Sequence, residues 1–239
     1  MNRYREELRY FLYRDFIPVT KGIVLGSAVL FLLHYLLALF GLNLFALFQF
    51  SPYRWLFRPW TLLTYPLVNR DPLSLIFSLL WLWYIGGSLE RSWGGQTYGF
   101  FLALATAINA LAFALVTWLF PLINPFFHIA GLWLPLTGIT WAWAKLYPDR
   151  ELLLWGLFPV KAQWLSWLQA GLVFFNYLRY NLAYAWAAVS SIAVVYLFSG
   201  RGPFAHGLRY WAWSRNLTGG NWREKLRNWW RRRRLKVVK

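Results

Sequence analysis

The sequence lacks cysteine and has few charged residues, most of them basic. Without cysteine the chain forms no disulfide, no thiolate metal site and no cysteine nucleophile. Only 14% of its residues are charged, against about 25% in ordinary soluble domains. Charges this sparse cannot cover a water-exposed surface, which argues against a soluble globular enzyme. Hydrophobic residues make up 59% of the chain and aromatic residues 22%, and this composition excludes a disordered protein.

Long runs nearly free of charge dominate the sequence, and we predict that they are membrane-spanning helices. A helix needs about 20 apolar residues to cross a bilayer, and helices satisfy their own backbone hydrogen bonds in lipid. The runs are 17–41, 72–88, 97–120, 127–144, 163–177 and 181–200. The predicted fold class is therefore an all-α membrane protein, a bundle of six transmembrane helices with amphipathic basic helices at its ends.

Basic residues concentrate at the two ends of the chain. Residues 201–239 contain 12 of the 25 Lys and Arg residues. Because cytoplasmic segments carry the excess of Lys and Arg, we predict that both termini are cytoplasmic, in a bacterial plasma membrane. The first apolar run is too long for a cleavable signal peptide. The predicted domains are an amphipathic N-terminal segment (1–16), a membrane domain (17–200) and a basic tail (201–239).

Two segments do not fit the spanning pattern. Residues 42–71 are rich in Phe, Tyr and Trp, which favour the membrane–water interface. We expect this segment to lie half-immersed on the non-cytoplasmic side. Residues 151–162 are apolar but too short to span, and we interpret them as a cytoplasmic-side element packed against the bundle.

The basic tail has the spacing of an amphipathic helix. Its apolar residues recur at i, i+4, i+7 and i+8 and are followed by four consecutive arginines. These residues are Trp222, Leu226, Trp229, Trp230, Arg231, Arg232, Arg233 and Arg234. Such a helix lies flat among lipid headgroups, so anionic lipids are the expected partners. The arginines can equally be only a topology signal. Nucleic acid is not an expected partner, because no nucleic-acid-binding fold accompanies the cluster.

Residues 60–95 carry a sequence pattern that is more specific than a run of apolar residues. Trp60-Thr-Leu-Leu-Thr-Tyr is followed by a Leu- and Trp-rich run, then by Gly86-Gly87, by Glu90-Arg91 and by Gly94. This pattern resembles the rhomboid intramembrane protease superfamily, over roughly residues 15–200. The resemblance implies six helices with a large outer loop after the first. Considered without it, Gly86-Gly87 is only a packing notch and Glu90-Arg91 is only a stop charge that bounds the apolar run.

The resemblance also implies where catalytic residues would lie, and each position has a different residue here. Rhomboid proteases carry a serine nucleophile in a Gly-x-Ser-Gly motif, and here Thr137 stands before Gly138. Their sixth-helix histidine base falls on Trp186. Their second-helix oxyanion histidine and asparagine fall on Ser74 and Ser78. Acyl transfer requires a hydroxyl or thiol, a base and positioned donors.

These departures predict an inactive member of the superfamily, a pseudoprotease. We expect a membrane scaffold that binds transmembrane segments of partners or clients, as chaperone, adaptor or assembly subunit, with neither cofactor nor metal. One alternative is a divergent protease using Thr137, which His128 could approach. Another is a structural subunit of a large energy-transducing complex, with pigment at His34 or His128. We otherwise expect His34 to form an interhelical hydrogen bond.

Overall fold

A computed structural model describes residues 17–120, 128–154 and 158–198. By its internal contacts the chain divides into two units, residues 1–195 and 196–239, and all of the described helices and strands begin in the first. The amphipathic helices predicted at the two ends lie outside the described residues. The domain boundaries predicted at 16 and 200 stay predictions.

Most of the described chain is helical, as predicted. The helices are α1 (Pro18–Ala38), α2 (Phe45–Phe48), α3 (Thr61–Thr64), α4 (Pro72–Trp81), α5 (Gly87–Trp93), α6 (Gly95–Leu119), α7 (Trp133–Leu146), α8 (Ala162–Leu178), α9 (Leu182–Ala188) and α10 (Ser191–Phe198). A π-helical turn, Leu82–Gly86, joins α4 to α5. A 3-10 turn, Tyr65–Leu67, follows α3.

Local sequence explains where the first helices begin. Pro18 and Pro72 occupy the first turns of α1 and α4, where a missing N–H costs nothing and the fixed φ suits a helix. At α4 the Asp71 carboxylate also accepts the Ser74 N–H at 2.6 Å, which is an N-cap.

Three helical stretches are long and apolar enough to cross a membrane. They are Pro18–Ala38, Pro72–Trp93 and Gly95–Leu119, of 21, 22 and 25 residues. At 1.5 Å per residue each reaches about 30 Å or more. The other predicted runs also contain helices, but α7 has only 14 residues and the last run is interrupted between α9 and α10. The number of crossings therefore stays a prediction.

The structure corrects the bounds of the second and fourth runs. The second was predicted to end at Ser88 before charged residues, but the helix continues to Trp93. It ends at Gly94, whose φ of +80° is a conformation that glycine adopts freely. The fourth helix starts only at Trp133. Before it, Ile129 pairs with Phe50 in an isolated antiparallel bridge.

The prediction of an all-α protein is wrong at residues 151–161. Strands β1 (Glu151–Leu154) and β2 (Phe158–Lys161) form an antiparallel pair, with Glu151 opposite Lys161 and Leu152 opposite Val160. Four-residue strands separated by a short connection suit this run, because it is too short for a spanning helix and ends at the Ala162 start of α8.

Helix α7 lies at the centre of the described structure. Every residue from Leu134 to Ala144 is buried, so protein surrounds this helix on all sides. Its neighbour α6 buries a stripe of residues spaced three or four apart, as expected for a helix with one face inward.

The segment between α1 and α4 anchors on this core through Tyr65. The phenol is fully buried and donates to the Thr106 carbonyl at 3.3 Å. Burial raises the pKa of Tyr65 above its ordinary value, because the phenolate would be desolvated, so the hydroxyl stays a donor. The Tyr65 carbonyl accepts the N–H of Gly131, whose φ is +100°.

Candidate functional site

The position predicted to correspond to the rhomboid nucleophile is buried. Thr137 lies in the second turn of α7 and is 1% exposed. Its hydroxyl donates to the Trp133 carbonyl one turn earlier, at 3.1 Å. Such back-bonding to the helix's own backbone is the ordinary fate of a threonine inside a helix. In this conformation the hydroxyl is directed along α7 and not toward a base.

The two serines that were predicted to fall at the oxyanion positions form hydrogen bonds with different partners. Ser78 is fully buried and donates to the Leu75 carbonyl on its own helix at 3.0 Å. Ser74, half-buried at the start of α4, accepts the indole N–H of Trp133 at 2.7 Å. Trp133 thus links the two residues: its indole N–H donates to Ser74, and its carbonyl accepts from Thr137. The two hydroxyls thus share Trp133 as a partner, and no hydrogen bond joins them directly in the described part of the chain.

Trp186, which was predicted to fall at the position of the base, lies at the surface beside α8. It is 64% exposed and its ring packs edge-on against Phe174 of α8, with centroids 5.2 Å apart. The residue that α10 presents to α7 is Ser191. A Cβ added at Gly138 would lie 3.0 Å from both the Ser191 Cβ and its carbonyl oxygen, so Gly138 permits close contact between the helices.

Asn109 on α6 holds the break between α9 and α10, and the sequence pattern did not identify it. Its side-chain oxygen accepts the Ser190 hydroxyl at 2.9 Å and the Ser191 N–H at 3.0 Å. The Ser191 N–H is at the first turn of α10, where backbone donors lack helical partners. The available signal was one asparagine in an apolar run together with a Ser-Ser pair in another.

The three histidines contribute no base to Thr137 in the part of the chain that the structure describes. His34 stacks on Phe45, with ring centroids 3.4 Å apart. Its Nδ1 is buried without a hydrogen-bond partner, so this atom does not form the predicted interhelical bond. His128 lines a small cavity beside Arg54 and Arg58. His206 lies outside the described residues.

The Glu90 carboxylate caps another helix. It is 1% exposed and accepts the backbone N–H groups of Val19 and Thr20, both at 2.8 Å. These are orphan donors at the start of α1, where the helix dipole favours an anion. Glu90 is therefore more than a charge that bounds the apolar run, because its carboxylate joins α5 to α1.

Of the remaining motif residues, the glycine pair is packed against neighbours, whereas Arg91 and Trp60 lie at the surface. The Tyr98 hydroxyl occupies the place of a Cβ at Gly86, and the Ile17 side chain lies 3.3 Å from the place of a Cβ at Gly87. Arg91 is exposed. Trp60 is half-exposed and donates its indole N–H to the Leu47 carbonyl at 3.0 Å, within the segment between α1 and α4. The glycine pair is thus a packing notch, as one interpretation had it.

Trp81 ties three helices together beside the site. Its indole N–H is shared between the Thr140 hydroxyl, at 2.9 Å, and the Gln169 side-chain oxygen, at 3.0 Å. These partners belong to α7 and α8. Gln169 is buried, but its run also contains Gln163, Ser166 and Asn176, so the sequence alone did not distinguish it.

We predict that Trp81→Phe lowers the free energy of unfolding by about 1 kcal/mol, because an interhelical hydrogen bond in a membrane protein contributes about that much. Unfolding in a mixed-micelle denaturant series measures it. Trp164→Phe, at a 70% exposed position on α8, is the matched control and should change little. Equal effects of the two substitutions would contradict the assigned role of the indole N–H.

Comparisons with known proteins agree with this architecture. The chain matches the family described as "Eukaryotic integral membrane protein (DUF1751)" over residues 21–199. It is also similar to the Rhomboid protease GlpG of Salmonella paratyphi A and to that of Salmonella typhi, with 26% identity over 157 residues in each case. The aligned part covers 63% of this chain and 54% of each relative. The chain therefore spans about half the length of the curated relatives it matches.

The predicted bacterial plasma membrane and the cytoplasmic termini stay predictions, and the family's own description is eukaryotic. The family match spans most of the chain. The part of the chain that the structure describes contains three helices that are long and apolar enough to cross a membrane. The chain belongs to the eukaryotic integral membrane protein family DUF1751, within the rhomboid-like superfamily.

Proposed function

We propose that this protein is a catalytically inactive rhomboid-like scaffold that binds transmembrane segments of partner proteins. The observation that carries the proposal is the Thr137 hydroxyl, which is buried and donates to the carbonyl of its own helix. A general base must lie within about 2.6–3.2 Å of the proton that it removes. The side chain at the position of the base, Trp186, is instead exposed and cannot accept a proton at its indole N–H.

Activity-based labelling tests the inactive state. We expect no labelling of the purified protein by a fluorophosphonate probe and no cleavage of helix-destabilised transmembrane substrates. We also expect Thr137→Val to leave the unfolding free energy within about 1 kcal/mol of the native value, because only a back-bond within the helix is lost. Labelling that disappears in Thr137→Ala would establish the divergent protease instead.

Helix α1 is the surface that we assign to partner binding. It is the least buried of the three spanning helices. Gly22 and Gly26 lie one turn apart on it, and a Cβ added at either would meet nothing within 4 Å. Leu25 and Val29 beside them are more than half exposed. Small residues at this spacing let the backbone of a second helix approach closely in a bilayer.

Filling this notch tests partner binding. We expect Gly22→Ile with Gly26→Ile to remove specific co-purifying membrane proteins without unfolding the chain, because the added side chains have room. Gly171→Ile is the matched control, since Gly171 on α8 also has open space at its Cβ. Quantitative mass spectrometry after mild detergent extraction compares the three proteins. Partners that are retained equally in all three would contradict the assignment to α1.

A further inference from the structure

A small polar cavity lies in the segment between α1 and α4. It has a volume of about 120 Å³, several times the roughly 10–15 Å³ that one water requires. Ala46 contributes to its wall, and the other lining residues carry polar or basic side chains. These are Gln49, Ser51, Arg54, Arg58, Thr61 and His128.

The charge of this cavity is positive. Two guanidinium groups line it, whereas none of the described Asp and Glu residues does. Arg70 adds a third positive charge at its edge, where it donates to the Gln49 side-chain oxygen at 2.7 Å. An uncompensated pair of arginines with surrounding hydrogen-bond donors is the arrangement that recognises an oxyanion, since guanidinium forks match phosphate and carboxylate geometry.

The two arginines that line the cavity differ in how they are held. Arg58 donates from Nη1 to the Ala46 carbonyl at 2.5 Å, which fixes the guanidinium at the cavity wall while other N–H groups remain. The Arg54 guanidinium has neither a hydrogen bond nor an ion pair to any residue that the structure describes. Arg54 therefore has its full set of donors available for a ligand.

The surroundings favour a phosphate group over other oxyanions. Phe57 and Trp60 on the same segment are exposed large aromatic residues, and such residues mark the headgroup level of a bilayer. Tyr53 and Leu56 of the same segment line a second, apolar cavity of about 750 Å³ against α6. A polar basic pocket and an apolar one thus flank one short segment.

We propose that the cavity of Arg54 and Arg58 binds a phosphate group. The two sources of that chemistry are inorganic phosphate and the headgroup of an anionic phospholipid, whose acyl chain the apolar cavity can accommodate. This site does not depend on the scaffold role or on α1.

Ligand-induced thermal stabilisation tests the site. The full chain, purified in a phosphate-free maltoside detergent, is titrated with inorganic phosphate in one arm and with short-chain phosphatidic acid in the other. A ligand that binds only the folded state raises the unfolding temperature. We expect Arg54→Gln to lose about tenfold in affinity, the usual effect of removing one charge-assisted contact. The exposed Arg54 guanidinium forms no hydrogen bond or ion pair with the described residues, so we expect Arg54→Gln to fold.

The matched control is Arg179→Gln, which removes the same charge from an exposed residue stacked on Tyr180. A general phosphate site is supported if both ligands stabilise the chain, if Arg54→Gln weakens this stabilisation and if Arg179→Gln preserves it. Stabilisation by phosphatidic acid alone, with the same pattern, supports a lipid headgroup site. Equal affinities of the native chain and Arg54→Gln for both ligands, or no stabilisation by either, would overturn the proposal.

Discussion

Glu90→Ala is expected to lower the free energy of unfolding by about 3 kcal/mol, because hydrogen bonds to charged groups are worth about 1.5–3 kcal/mol each and a buried donor without a partner is costly. The carboxylate is buried and is the acceptor for the Val19 and Thr20 amides. Its charge also complements the positive end of the α1 dipole. Removing it leaves both amides unsatisfied in a non-aqueous interior.

Hydrogen exchange distinguishes this local role from a general loss of stability. Amides at the first turn of α1 should lose protection in Glu90→Ala more than amides in the middle of α7. Glu90→Gln should lie between the alanine variant and the native chain, since an amide oxygen still accepts but carries no charge. Glu151→Ala, at an exposed position, is the control. Unchanged protection at Val19 and Thr20 would disprove the cap.

Gly86→Ala is expected to cost about 2 kcal/mol, within the range for overpacking a tight interior. The Tyr98 hydroxyl occupies the place of the added Cβ, and a Leu82 methyl group lies 3.0 Å from it. Tyr98 is fully buried, so its ring cannot move aside without shifting α6 relative to the π-helical turn.

A double-mutant cycle identifies the contact. Tyr98→Phe removes the oxygen that overlaps, so Gly86→Ala should cost less in that background than in the native chain. Gly171→Ala is the control on an open helix surface, where alanine is the better helix former by about 1 kcal/mol. Equal costs of Gly86→Ala in both backgrounds would show that Tyr98 is not the obstacle.

The sequence predicted the helical runs well. The runs are long and nearly uncharged, and in lipid a helix satisfies its own backbone hydrogen bonds. It failed where a tertiary contact overrode a local signal. Glu90-Arg91 reads locally as the end of a helix, yet the carboxylate is satisfied by amides of α1, some 70 residues away along the chain. Residues 151–161 carry too little pattern to separate a hairpin from an apolar turn.

The candidate site was predicted in position but not in detail. The resemblance to rhomboid proteases placed Ser74, Ser78, Thr137 and Trp186 at the catalytic positions, and that correspondence stays a prediction. Sequence spacing could not indicate that the Trp133 indole would contact Ser74 or that Asn109 would hold the start of α10. Both contacts join segments more than 50 residues apart, and only the packing of the helices selects their partners.

Gly94 alone separates α5 from α6, and this has a consequence for biogenesis. With one residue between them, we expect the second and third candidate spans to insert as a single helical hairpin. Because Glu90 near this turn accepts amide hydrogens at the beginning of α1, we expect the amino end of α1 and the turn to lie at the same leaflet. Reversing any one of the three candidate spans would then require reversing the other two.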